Sequence, residues 1–75
     1  MAVLPLDQCR GGVIRRIAPV NPALRRLVEM GATPGAHVQV IRRAPLGDPM
    51  QIALRGCAVT LRRRDAAQID VERDV

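Results

Sequence analysis

A chain of 75 residues that contains no Phe, Tyr or Trp must fill its core with aliphatic side chains alone. Val, Ile, Leu and Met have to do that work. Nine Val and five Ile tilt the chain toward strands, because β-branched side chains pack well on a pleated surface. A chain this short buries only about 60–65% of the surface its unfolded form exposes. One domain over residues 1–75 is therefore expected, with a stability toward the low end of ~5–15 kcal/mol. The expected class is mainly all-β, a small barrel or sandwich.

The order of the residues sharpens this. Leu4 and Leu6, around Pro5, read as core plugs in a mixed opening segment, residues 1–12. "GGVIRRIAPV" (Gly11–Val20) follows as a first strand. Its inward face is either Val13, Arg15 and Ile17 or Ile14 and Arg16, and the first set has two apolar members. "NPALRRLVEMG" (Asn21–Gly31) is the clearest element, with Asn21 as N-cap, Pro22 at the first helical position and Gly31 past the end. Leu24, Leu27 and Met30 then form one apolar stripe on a helix of about nine residues, too short to stand alone in water. "TPG" (Thr33–Gly35) suits a type II turn.

Strict alternation resumes in Ala36–Arg43, with Val38 and Val40 inward and His37 and Gln39 outward. Met50, Ile52 and Leu54 share the inner face of the next strand. A tight turn at Arg55-Gly56 leads to a strand with Cys57, Val59 and Leu61 inward. A short helical turn at Asp65–Ala67 precedes a last strand carrying Ile69 and Val71. About five short strands with one short helix between the first and second point to a small SH3-like β-barrel.

The net charge is +5 and every basic residue is Arg. That balance reflects either a GC-rich coding bias or attraction to an acidic partner: nucleic acid, membrane surface or protein. Cys9 and Cys57 form no C-x-x-C pair, and nothing in residues 1–11 has the pattern of a signal peptide. No apolar run approaches the ~20 residues that span a bilayer. A cytoplasmic protein with reduced thiols is expected.

Catalysis finds little support. His37 is the only His, the carboxylates are scattered, and Cys57 falls on an inward face, where a thiol usually acts as a small hydrophobe. The chain is read as not an enzyme. A closed zinc site wants four Cys or His ligands at short paired spacing, which this sequence lacks. His37 is a weak candidate for a surface divalent metal, zinc or ferrous iron, shared with a carboxylate of a neighbouring molecule; no cofactor is required. Nucleic acid is not expected as a partner, because small barrels that bind single strands use aromatic stacking platforms.

"RRAPLGDPMQIALRG" (Arg42–Gly56) places Leu46 at the tip of a tight turn, where residues are usually polar. Pro45 and Pro49 fix φ, Gly47 permits a left-handed turn, and Asp48 can bond nearby amides. Pre-ordering such a loop reduces the entropy lost on docking. Leu46 is then either a partner anchor or a lid folded over the barrel end. The candidate partner surface comprises Leu24, Leu27, Leu46, Gly47, Asp48 and Pro49, with Arg25 and Arg43 (or Arg62) steering the approach. Met30 either lines the same cleft or fills the core.

The stretch from Leu24 to Glu72 resembles the FeoA family, small accessory proteins of bacterial ferrous-iron uptake, with a looser match over Leu4–Ile17. The resemblance rests on "MGATPG" (Met30–Gly35), "APLGDP" (Ala44–Pro49), "RG" (Arg55–Gly56) and "LRRRDAAQIDV" (Leu61–Val71). It implies an SH3-like barrel with an inserted helix. It also implies a cytoplasmic role, peripheral at the inner membrane only through its partner, the transporter FeoB, whose cytosolic G-protein domain it would bind. One departure is Cys57, where family members often carry an aromatic. The alternatives are a metal-bridged homodimer or metal-responsive module and, less favoured, a nucleic-acid-binding barrel.

Overall fold

Alternating side chains give six strands rather than five in the computed structural model, which describes residues 3–73. They are β1 (Val3–Pro5), β2 (Gly11–Ile17), β3 (His37–Arg43), β4 (Met50–Leu54), β5 (Cys57–Leu61) and β6 (Ile69–Arg73). Helix α1 (Pro22–Glu29) follows β2, and the short α2 (Arg63–Ala66) precedes β6. The sheet order is β1-β6-β2-β3-β4-β5, and every pair is antiparallel. The additional strand is β1, only three residues long, in the segment read as mixed. Leu6 just after it is fully buried, whereas Leu4 is half-buried against the core.

The inward positions of β4 and β6 follow their alternation: Met50, Ile52 and Leu54, then Ile69 and Val71, are all buried. β2 departs from both registers considered for it. Ile14 is buried, Ile17 also packs against the core, and the pairing with β6 shifts between Ile14 and Arg16. One extra residue in a strand inverts its alternation, so a bulge at Arg15 lets two residues three apart face the same side. Arg15 points outward and its Nε donates to Glu72 Oε1 at 2.6 Å.

Where β2 begins, Gly12 pairs with Val38 of β3 and Arg73 of β6 at once. A Cβ there would lie 2.1 Å from the Glu72 carbonyl oxygen, and one at Gly11 would lie 2.4 Å from that of Val38. The Gly pair allows close passage of three backbones, beyond merely starting a strand.

Helix α1 is specified locally. Asn21 Oδ1 accepts the Leu24 N–H at 2.9 Å, and Gly31 (φ 108°) takes the chain out of the helix. The Asn21 amide also donates to Asp65 Oδ1 at 2.9 Å, which ties α1 to α2 through the one buried carboxylate among the described residues. Asn21→Ala removes both bonds. It is expected to lower stability by about 2 kcal/mol, read as a shifted urea midpoint with an unchanged slope.

Thr33–Ala36 closes as a turn, with the Ala36 N–H bonded to Thr33 O at 2.9 Å. Cys57 requires a correction. It pairs with Leu54 at the turn end of the β4–β5 hairpin and is exposed, so the inward alternation of β5 reaches full burial only at Leu61. Among the described residues nothing packs over the hairpin end to cover the thiol. The buried thiol is Cys9.

Candidate functional site

The β3–β4 loop is held from three sides. The Ala44 N–H donates to Pro49 O at 3.0 Å and the Gly47 N–H to Ala44 O at 2.7 Å. Gly47 sits at φ 87°, which an L side chain resists, and the Asp48–Pro49 peptide is cis. Asp48 Oδ1 accepts the Arg63 N–H at 3.0 Å. Arg62, at the N-cap of α2, makes no capping bond of its own, so a carboxylate from fifteen residues earlier caps that helix instead. The ion pair of Asp48 Oδ2 with Arg62 Nη1 (3.8 Å) is exposed and adds little.

Asp48→Ala is expected to cost about 1 kcal/mol through the lost cap. Amide exchange should accelerate at Arg63 while the β4 amides keep their protection. Equal protection at Arg63 would show that the cap does not hold the loop.

On this frame Leu46 is 92% exposed. It covers no core, which rules out the lid. Leu24 and Leu27 stand at 0% and 2% exposure, so they cannot form a surface cleft with it. A barrel without aromatics needs the leucines of its one long helix, and Leu24 and Leu27 face inward. Met30, at the helix end, is partly exposed.

Arg25 lies exposed on α1. Arg43 is occupied structurally: its Nη1 donates to Asp7 O at 2.9 Å and its Nη2 to Cys9 O at 2.7 Å. It straps the segment after β1 to β3, so its guanidinium is not available as a partner fork. Beside the loop, Arg62 and Arg63 keep most of their side chains in solvent, and Arg63 Nε lies 3.6 Å from Asp7 Oδ2.

The structure thus gathers Leu46, Gly47, Asp48 and Pro49 with Arg62 and Arg63, and separates them from Leu24 and Leu27. Sequence reading missed the flank of the loop, a shallow cleft of about 280 Å³ lined by Arg42, Pro45, Pro49, Gln51 and Thr60 among others. Its signal was the outward phase of Gln51 and Thr60; Arg42 has the inward phase of Val38 and Val40 and joins their row only through the register shift between Val40 and Arg42. His37 is exposed on β3, and among the described residues no three His, Cys, Asp or Glu side chains converge as a metal site.

The chain as a whole is similar to known proteins. The FeoA domain model matches residues 4–73. The Fe(2+) transport protein A/Fe(2+) transporter FeoB fusion protein of Porphyromonas gingivalis is 40% identical over 60 residues, 80% of this chain but 7% of the fusion. The solution structure of FeoA from Chlorobium tepidum superposes with a TM-score of 0.76 at 34% identity, covering 88% of this chain and 66% of that one. Stenotrophomonas maltophilia FeoA, solved in complex with zinc and described as a prokaryotic SH3 domain protein, gives 0.71 at 25% identity over 92% of this chain and 84% of that one. A match that runs through all six strands, the inserted helix and the loop together has one meaning: the chain belongs to the FeoA family.

Proposed function

We propose that the chain is a non-enzymatic accessory module of bacterial ferrous-iron transport that docks, through its β3–β4 loop, on the cytosolic G-protein domain of a FeoB-type transporter. The observation that carries this reading is Leu46, a large apolar side chain held in solvent by a loop bonded to α2. Burying such a side chain in a partner is worth about 1.5–3 kcal/mol, and a pre-ordered loop loses little entropy on docking. The Porphyromonas gingivalis fusion supports the pairing, since a covalent link raises the effective concentration of two modules that work together. The chain reaches the membrane through that partner; no helix of the described residues is long and apolar enough to cross one.

Titration of the chain against the purified G-domain of its transporter tests this. Binding is expected to differ between GDP and a GTP analogue and to weaken as salt screens the Arg residues around α2. Absence of binding in both nucleotide states at low salt would overturn the G-domain as the partner.

A second reading, a metal-bridged homodimer through His37, is favoured by the relative solved with zinc. A surface metal here would take further donors from a second copy. Sizing in zinc and in chelator should then give dimer and monomer respectively; one species in both would end this reading.

A further inference from the structure

β5 ends the sheet, and no strand among the described residues pairs with its outer side. The turn before it decides which groups face outward. Arg55 (φ 49°) and Gly56 (φ 80°) form a two-residue connection of the type that makes its flanking residues a hydrogen-bonded pair. Leu54–Cys57 is that pair, and alternation makes Ile52–Val59 and Met50–Leu61 the next ones. The N–H and C=O groups of Ala58 and Thr60 therefore point away from β4. Both residues are exposed, and neither backbone enters a loop or cap hydrogen bond among the described residues.

Proteins usually blunt such an edge with charge, proline, a bulge or very short length. The opposite edge obeys: β1 has three residues and ends in Pro5. β5 does not. Its sequence, CAVTL, carries no charge and no proline, and its register with β4 is unbroken, although 25% of the chain is charged.

We propose that β5 is a strand-addition edge that receives an extended segment of a partner protein, apolar or hydroxylated in its middle and acidic at both ends. The charges around the edge choose this occupant over a second copy. Arg55 stands before the strand and Arg62, Arg63 and Arg64 follow it, with no acidic residue between. Two copies of β5 paired antiparallel about Val59 would bring the turn at Arg55 toward the start of the second copy's α2, with its Arg62 and Arg63, so that like charges gather at both ends of the pairing. Two chains of charge +5 also repel. An acidic-ended strand reverses both signs.

Register shapes the middle of the segment. A side chain opposite Ala58 lies beside the paired Ala53, where two small residues leave room for a large aliphatic group. One opposite Thr60 extends the outer row Arg42–Gln51–Thr60, along the cleft beside the loop, and suits a polar group. Main-chain bonds supply affinity in this mode and alternate side chains supply selectivity.

The probe is a capped nine-residue peptide with Val and Thr two positions apart at its centre, to lie opposite Ala58 and Thr60, and two acidic residues at each end, titrated into isotopically labelled protein. Saturable shifts and slowed amide exchange are expected at Ala58 and Thr60. The same peptide N-methylated at alternate central amides should bind at least about tenfold more weakly, because two ladder bonds are lost. A peptide with Lys at its ends should also bind more weakly. Thr60→Pro removes an outward N–H while sparing the β4 ladder and should weaken binding similarly; if it fails to fold, the methylated peptide decides alone. Equal binding of the methylated peptide overturns the proposal, as does no saturable binding at about 1 mM. A dimer whose Ala58 and Thr60 amides are already protected without peptide assigns the edge to a second copy instead. Peptide binding at β5 and G-domain binding through the loop are read in separate titrations, so this edge and the loop succeed or fail separately.

Discussion

Gly12→Ala is expected to lower stability by at least about 3 kcal/mol, leaving a small domain close to its unfolding threshold. The added Cβ would sit 2.1 Å from the Glu72 carbonyl oxygen and 2.7 Å from the Arg73 Cα, both backbone atoms that cannot rotate aside. Retreat is blocked because Gly12 is also paired with Val38 on the other side. Relief would mean separating β2 from β6, and that pairing runs from Gly12 to Ile17. The melting temperature should fall by roughly 15 °C or more, since a domain of this size loses about 4–8 °C per kcal/mol. Gly35→Ala is the matched control. Gly35 also has positive φ, 95°, but a Cβ there meets nothing within 4 Å. Its cost should stay near ~1 kcal/mol, from backbone strain alone. Equal melting temperatures for the two variants would show that the close backbone approach at Gly12 is not what requires glycine.

Leu46→Asp is expected to weaken binding to the transporter G-domain by at least about tenfold, or 1.4 kcal/mol, while changing stability by less than about 0.5 kcal/mol. The two halves of this expectation have different causes. Leu46 is 92% exposed and supports nothing in the barrel, so the folded state has no stake in it. In a complex, the same position would bury either an apolar anchor or a carboxylate without a partner, and the latter is costly. Titration calorimetry paired with thermal melting separates the effects. Unchanged affinity would remove Leu46 as the anchor, whereas a large loss of stability would mean that the loop packs on the barrel in solution.

Much of the architecture was legible because it follows from short-range rules. Asn21, Pro22 and Gly31 bracket α1 through interactions within three or four residues. Arg55-Gly56 makes a hairpin turn for the same kind of reason, and two-residue alternation marks β4 and β6 along their own length and β3 as far as Val40. The loop motif and the family resemblance were equally readable, since they need only the order of residues.

What sequence could not supply depends on neighbours far along the chain. The bulge at Arg15 is set in the pairing of β2 with β6, far along the chain, and it inverts the alternation that a single strand would show. Cys57 has the inward phase of its strand yet lies exposed, because phase says nothing about whether the sheet continues beyond a hairpin end. Arg43 looked like a surface charge and proved to be a strap, because its carbonyl partners lie at Asp7 and Cys9, more than thirty residues away.

The same division runs through the candidate site. The sequence alone determined an aliphatic β-barrel with one capped helix and a stiff loop that carries Leu46, since local backbone preference and side-chain periodicity suffice for those. Only the tertiary structure decided that Leu24 and Leu27 face the core, that Asp48 pins the loop to α2, and that β5 is left as an open edge. Burial and pairing are properties of what stands opposite a residue, and that is known only once the whole sheet has closed around its core.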